Sequence, residues 1–340
     1  MIVIMRSDST EQDIEDLVSR LEDRGYGHHI SRGEERTIIG AVGAPDGEKE
    51  AIAGQLSTLA GVERVVPILK PYKLISREHQ ASPTVVHIGE SQVGGGKVAV
   101  IAGPCSVESR EQMIQVASAV KDAGATALRG GAYKPRTLPY DFQGLGQEGL
   151  EYLAEARAAS GLPIVTEVMD VRHVEAVAEV ADCIQIGARN MQNYDLLKEC
   201  GRTGKTVMLK RGFASTVEEW LKAAEYIAAG GTLDIILCER GIRTFESGTR
   251  FTLDLGSMAL ARRETFLPLV ADPSHATGMA SLVPPMALAA VAAGADGLLI
   301  EVHPRPDEAL SDGAQSLTPS AFADLMRRIR TVAEAVGREI

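Results

Sequence analysis

Basic residues are in short supply. The 35 lysines and arginines are outnumbered by 46 aspartates and glutamates, leaving a formal net charge of −11. That balance argues against general nucleic-acid or anionic-membrane binding, so any anionic partner has to be met locally. Cysteine is also sparse: Cys105, Cys183, Cys200 and Cys238 are far apart and form no CxxC pair. This speaks against a zinc knuckle or a disulfide framework. Nowhere do about 18 apolar residues run together, and the N-terminal MIVIMRSDSTEQD lacks a basic segment followed by an apolar stretch of signal length. A cytoplasmic protein with no membrane partner is the expectation. No internal repeat or low-complexity tract stands out. What is present is ordinary globular composition, 45% hydrophobic and 24% charged over 340 residues, with room for one large domain and a small one.

Residues 1–70 read as strand, helix, strand, strand, helix, strand. IVIM precedes a helical stretch in which Thr10 and Asp13 stand at capping-box spacing. HHIS, a turn at Gly33, RTIIGAV, the amphipathic GEKEAIAGQLSTLAG and VERVVPIL follow. This order predicts a small ferredoxin-like α+β domain. Residues 71–84, which overlap the basic and proline-flanked KPYKLISREHQASP, have linker composition and would let the small domain move. Over 85–340 short apolar runs alternate with helical ones: KVAVIAG, TALRG, PIVTEV, DCIQIG, TVMLKRG, DIILCERG, PLVADPSH and GLLIEVHP. Eight such units predict an α/β fold, a (β/α)₈ TIM barrel, with a doubly wound open sheet as the alternative.

In a parallel barrel, reactive groups are expected where strands end, and every one of the eight ends carries one. Cys105, His275, Glu301 and Asp312 come from strands one, seven and eight and the loop after eight, which barrel closure makes neighbours. A thiolate, an imidazole and two carboxylates suit a divalent transition metal better than magnesium or calcium. Each also has a plain structural explanation: a small core thiol, a loop histidine, two solvated carboxylates. Arg129, Lys134, Arg136, Arg189, Lys210 and Arg240 come from strands two, four, five and six, the other arc of the ring. So many cations converging would repel one another without an anionic ligand, which implies a substrate load of several negative charges. Glu167, ending strand three, and Asp272 and His303 complete the set of polar strand ends. Arg243 and Glu246 extend the sixth loop. Cys183 and Cys238 lie inside strand runs, Cys200 near a helix end and Trp220 on an apolar helix face, so packing explains them. His28 and His29 have no partner spacing and are expected at the surface.

The motifs IAGPCSVES, LRGGAYKPRT, GLPIVTEV, IGARNMQN, LKRG, CERGIRTFE, DPSHATG and EVHPRPDEALSDGAQSL together closely resemble the 3-deoxy-D-arabino-heptulosonate 7-phosphate (DAHP) synthase family. The likeness is to its shorter bacterial and archaeal branch, related to 3-deoxy-D-manno-octulosonate 8-phosphate synthase. The resemblance spans roughly residues 85–335 and implies a transferase of the shikimate pathway that condenses phosphoenolpyruvate with erythrose 4-phosphate. It also implies Cys105, His275, Glu301 and Asp312 as ligands of a divalent metal, with Mn²⁺ the first choice and Fe²⁺, Co²⁺ or Zn²⁺ as alternatives. Arg129, Lys134, Arg189, Lys210 and Arg240 would hold phosphoenolpyruvate, and Lys134, Pro135, Arg136 and Thr137 would meet erythrose 4-phosphate. Catalytic roles would fall to Lys134, Cys105 and His275. Lys134, set among arginines, is expected to have a depressed pKa and to donate a proton. The same likeness implies a regulatory small domain binding tyrosine or phenylalanine, and a homotetramer.

Three other readings compete. The octulosonate synthase takes arabinose 5-phosphate, but its loop usually reads like KANRTS, whereas here Pro135 follows Lys134 directly. An aldolase would use Lys210 as a Schiff-base nucleophile, and a non-catalytic phosphometabolite sensor would bind without releasing phosphate. Relatives commonly read KPRTSP where this chain has Leu138 in place of the serine; if that hydroxyl contacts the sugar phosphate, its loss is expected to weaken erythrose 4-phosphate binding modestly.

Overall fold

The computed structural model describes residues 1–33, 36–45, 48–67 and 71–340. The chain divides into two units, Met1–Pro71 and Tyr72–Ile340. The end of the expected strand VERVVPIL, at 68–69, and the first residue of the basic stretch, at 70, lie outside the described residues.

The first unit follows the predicted order: β1 (Ile2–Met5), α1 (Glu11–Glu22), β2 (Gly27–Arg32), β3 (Thr37–Val42), α2 (Lys49–Leu56) and β4 (Val62–Val66). Its antiparallel sheet runs β2-β3-β1-β4. The capping box at the start of α1 forms as the spacing demanded. The Thr10 hydroxyl accepts from the Asp13 N–H at 3.2 Å, and the Asp13 carboxylate accepts from the Thr10 N–H at 2.8 Å. Val3, Met5, Leu17, Leu21, Ile39 and Leu56 fill its own core, while His28 and His29 are exposed, as expected.

The second unit is a closed barrel of eight parallel strands. In chain order they are β7 (Ala99–Gly103), β8 (Ala127–Arg129), β9 (Ile164–Val168), β10 (Cys183–Ile186), β11 (Thr206–Lys210), β12 (Ile235–Glu239), β13 (Leu269–Ala271) and β14 (Gly297–Glu301). Strand β14 pairs with β7 and closes the ring. Both faces of each strand are covered, which is why these segments read as unbroken apolar runs rather than alternating ones. Between them stand α3 (Arg110–Ala123), α4 (Gln147–Ser160), α5 (Val174–Val180), α6 (Tyr194–Arg202), α7 (Val217–Gly230), α8 (Leu255–Glu264), α9 (Pro273–Thr277) and α10 (Val283–Ala292), and α11 (Pro319–Ala335) follows the last strand. Trp220 is buried on α7, its indole N–H donating to the Leu209 carbonyl at 3.2 Å.

One end of the barrel is plugged. A hairpin of β5 (Val86–Ile88) and β6 (Ser91–Val93) packs Val86, Ile88 and Val93 onto the interior layer that holds Ile101, Cys183, Met208, Ile236, Cys238 and Leu299. Thr206, first residue of β11, donates to the His87 carbonyl at 2.6 Å, so the plug sits at the strand N-termini. The C-terminal ends are therefore the end left open for chemistry. Among the described residues no helix is long and apolar enough to cross a membrane.

The stretch expected to be a free linker is, from Tyr72 onward, part of the second unit. Tyr72 and Ile75 are buried in the layer between strands and helices. The Glu225 carboxylate on α7 accepts from the N–H groups of Lys73, Leu74 and Ile75 at 2.8, 2.9 and 3.2 Å. Its proline and its charges misled the composition argument, because a carboxylate on a neighbouring helix supplies the backbone partners that water would supply to a linker. Glu225→Ala is expected to lower stability by about 1–2 kcal/mol and to open residues 72–84 to limited proteolysis. Unchanged thermal unfolding and an unchanged cleavage pattern would show that the segment docks without this carboxylate.

Candidate active site

Four donors from three strand ends and one loop converge at the open mouth. The chain leaves β7 hard against β8: Gly103 has φ +154°, and a Cβ there would lie 2.1 Å from the Arg129 carbonyl oxygen. This tight exit brings Cys105 inward, where its thiol donates to Asp312 Oδ2 at 3.3 Å. His275 rides on the short α9, whose cap is Asp272. That carboxylate accepts from the His275 N–H at 2.9 Å with one oxygen, and its other oxygen lies 2.7 Å from His275 Nδ1. The ring's Nε2 is thereby turned toward Glu301 Oε1 at 3.3 Å and Asp312 Oδ2 at 3.9 Å. Glu301 ends β14 fully buried, accepting from Arg129 and from the Gln315 amide, both at 2.6 Å. Asp312 has φ +50°, the sole positive φ of a non-glycine among the described residues. Aspartate tolerates this conformation better than most residues, and strain of this kind gathers at functional sites. A hydrogen bond between Ser106 and Ser311 ties the two loops together.

The ligand atoms of Cys105, His275, Glu301 and Asp312 all lie within 4.8 Å of one another. One sulfur, one imidazole nitrogen and two carboxylates fit a divalent transition ion; Asp272 Oδ2 lies 2.7 Å from Nδ1, off the line of a hydrogen bond, and its charge sits on the side of the ring away from Nε2, which faces the other donors. Burial, followed by the nearby Glu301 carboxylate, pushes the Cys105 thiol up to about 12. A bound cation is what would make it a thiolate. Burial lowers the His275 pKa against the pull of Asp272 and Glu301, which favours the neutral, ligating imidazole.

Beside these donors a cavity opens, lined by Lys134, Pro135, Arg136, Thr137, Asp141, Glu167, Gly187, Ala188, Arg189, Lys210, Phe213, Arg240, Arg250, His275 and Asp312. Most of the expected cations share it. Arg129 does not line it: its guanidinium is buried behind, donating to Glu301 and to the Cys105 carbonyl at 3.2 Å. Lys210 is paired with Asp272 at 2.7 Å, Arg136 with Asp141 at 3.4 Å, and Arg189 donates to Thr137 at 3.5 Å. The loop after β8 closes on itself, the Lys134 N–H donating to the Gln143 carbonyl at 2.9 Å. Tyr133 stacks on His173 at 4.6 Å beside it.

Two expectations need correction. The Lys134 pKa lies above the ordinary lysine value. Burial lowers it, as a crowd of arginines would, but Cys105, Glu167 and Glu301 outweigh both. Leu138 is 56% exposed and does not line the cavity, so the residue standing for serine faces solvent.

Several residues had no assigned role. Glu167 is buried, one oxygen accepting from Gln185 at 3.1 Å and the other without a partner. A Cβ on Gly187 would lie 2.0 Å from that free oxygen, so only glycine lets the carboxylate sit there. Arg250 donates to Asp312 at 3.3 Å and to Gln315 at 2.9 Å. Phe213 and Phe251 stack beside Arg240. Glu167 was visible as a strand end. Gly187 and Phe213 stand just after strands, and Arg250 and Phe251 lie in the long connection between β12 and α8, where no periodicity marks an inward side chain.

Comparison with known proteins gives two family matches, the DAHP synthetase I family over residues 77–336 and the DAHP synthase ferredoxin-like domain over residues 1–70. Phospho-2-dehydro-3-deoxyheptonate aldolase of Thermotoga maritima is 49% identical over 340 residues, the full length of both chains. Its crystal structure superposes with a TM-score of 0.83, covering 99% of this chain and 98% of that one. The 2-dehydro-3-deoxyphosphooctonate aldolase of Syntrophotalea carbinolica is 36% identical over 254 residues, 69% of this chain and 91% of the relative.

Two outcomes are expected. Asp272→Asn keeps the shape but loosens the hold on His275, and should weaken metal affinity about 10- to 100-fold, read by Co²⁺ titration of the thiolate charge-transfer band. Leu138→Ser should leave the KM for the aldose phosphate unchanged, and a lower KM would mean that the side chain turns inward on binding.

Proposed function

Since the chain belongs to the DAHP synthetase I family, we propose that it condenses phosphoenolpyruvate with erythrose 4-phosphate and water to give DAHP and inorganic phosphate. One observation carries the reading: a cavity with six cationic side chains, Lys134, Arg136, Arg189, Lys210, Arg240 and Arg250, adjoins a four-donor cluster of transition-metal type. Two phosphorylated substrates, one also a carboxylate, match that charge.

Cys105, His275, Glu301 and Asp312 would hold the metal, with Mn²⁺ our first choice. A bound divalent ion supplies Lewis acidity at the aldehyde oxygen of the sugar. Lys134, Arg189, Lys210 and Arg240 bind phosphoenolpyruvate, with Arg129 acting from behind through Glu301. Arg136 and Thr137 bind the phosphate of the aldose, on a loop whose backbone Pro135 restricts. Held together, the substrates react as C3 of the enol phosphate attacks the aldehyde carbon, and Lys134 donates the proton that makes the new hydroxyl. The cationic wall steadies the phosphate and carboxylate that flank the electron-poor C2. Water adds to C2, with the free oxygen of Glu167 as the acceptor for its proton. The C2 hydroxyl then becomes the ketone as the C2–O bond to phosphate breaks, and its proton leaves with the inorganic phosphate. Most of the acceleration on this reading comes from positioning and preorganised charge.

The small domain is the second part of the proposal. It would act as a feedback element for tyrosine or phenylalanine within a homotetramer. Its match to a DAHP synthase ferredoxin-like domain supports this. A truncated form of the Thermotoga maritima synthase has been solved that covers 79% of this chain, so a barrel alone is a reasonable reagent.

Phosphate release should be faster with erythrose 4-phosphate than with arabinose 5-phosphate, should stop with a chelator and should return with Mn²⁺. Preference for the five-carbon sugar would transfer the chain to octulosonate synthesis. A variant beginning at Tyr72 should keep activity and lose inhibition by tyrosine and phenylalanine, and inhibition that survives truncation would remove the regulatory role.

A further inference from the structure

Three of the arginines and lysines in the cavity wall have a carboxylate partner: Lys210 has Asp272, Arg136 has Asp141 and Arg250 has Asp312. Arg240 has none among the described residues. It is only 3% exposed, and its Nη1 is buried without a hydrogen-bond partner. A guanidinium in such a place needs some stabilisation. Two aromatic faces provide it. The Arg240 Cζ lies 4.2 Å from the Phe251 ring centroid and 4.9 Å from that of Phe213. The rings are stacked, centroids 5.1 Å apart and planes 11° apart. Phe213 also receives Arg189, at 5.4 Å.

The backbone of each ring is fixed. The Arg243 N–H donates to the Phe213 carbonyl at 2.6 Å, and the Phe251 N–H to the Ala276 carbonyl, next to His275, at 2.7 Å. Gly241, directly after Arg240, has φ +91°, and a Cβ there would lie 2.7 Å from the Phe251 Cβ. Glycine at this turn is what lets the ring come in against the guanidinium.

We propose that Phe213 and Phe251 are positioning residues for phosphoenolpyruvate, their faces holding Arg240, and Phe213 also Arg189, where a carboxylate would otherwise stand. The ring quadrupole attracts a cation but offers it no strong hydrogen-bond acceptor. A carboxylate would neutralise the guanidinium and compete with the incoming anion for its N–H groups. The aromatic pair leaves Arg240 charged, oriented and with its donors free. Burial draws the Arg240 pKa down to about 10, only partly opposed by Asp272, which still leaves the guanidinium charged at neutral pH. The inference rests on the reading that Arg240 binds phosphoenolpyruvate, and takes its phosphate as the group Arg240 meets.

The test uses Phe213→Leu, Phe251→Leu and Phe251→Tyr in the metal-loaded full chain. Each leucine variant should raise the KM for phosphoenolpyruvate about 5- to 30-fold. The aldose-phosphate KM and kcat should stay within about twofold, and Phe251→Tyr, which keeps the face, should resemble the parent. Calorimetric titration with inorganic phosphate should show the same loss of affinity in the leucine variants. Phosphoenolpyruvate KM values and phosphate affinities that stay within twofold in both leucine variants would overturn the proposal. So would a tyrosine variant as impaired as its leucine counterpart, since ring packing alone would then explain the loss. If the parent does not consume phosphoenolpyruvate, the functional reading fails, and the phosphate titration still decides whether the rings hold Arg240 for an anion. Should one leucine variant fail to fold, the other site decides.

Discussion

Two buried ion pairs, Arg129 with Glu301 and Lys210 with Asp272, join the cationic arc of the barrel mouth to its anionic arc. All four side chains are nearly or fully shielded from water, so each charge depends on its partner, and removing one member of such a pair strands the other. The pairs also orient. One Glu301 oxygen is held by Arg129 and the other by Gln315, while Asp272 divides itself between Lys210 and the His275 ring. Glu301, His275 and Asp312 are each held by one of these contacts or by Arg250, and Cys105 in turn donates to Asp312.

This arrangement resolves the tension between an acidic chain and a cationic cavity. Net charge governs the far field, which decays within roughly 8–10 Å in physiological salt. Inside a partly desolvated mouth, nearby groups dominate. Asp272, Asp141 and Asp312 balance three of the six cations, and aromatic faces stand beside Arg240, which no carboxylate meets among the described residues. Glu167 is the exception, a carboxylate in the cavity wall with one buried oxygen that has no hydrogen-bond partner among the described residues and for which Gly187 makes room.

Much of the fold was legible because the barrel writes itself into the chain repeatedly. Eight runs buried on both faces gave eight apolar segments, and the parallel rule put their C-terminal ends at a single mouth. The same logic found Cys105, His275, Glu301 and Asp312 from widely separated segments, since the first three stand at or just beyond a strand end and Asp312 in the loop after the last strand. It failed where composition imitates another structure. The stretch after Pro71 looks like a linker but is pinned by Glu225, more than a hundred residues away in sequence.

By itself the sequence determined the strand–helix alternation, the capping box at Thr10, the side chains that would gather at the mouth and the family to which they belong. These are local or periodic features, and a linear string carries them. Tertiary structure alone decided how the gathered charges share one another. It set Arg129 behind the cavity rather than in its wall, raised Lys134 where neighbouring arginines suggested the opposite, turned Leu138 outward and brought Phe213 and Phe251 to Arg240. The reason is physical: pairing energies depend on distances and burial between segments far apart in the chain, and neither propensity nor spacing encodes them.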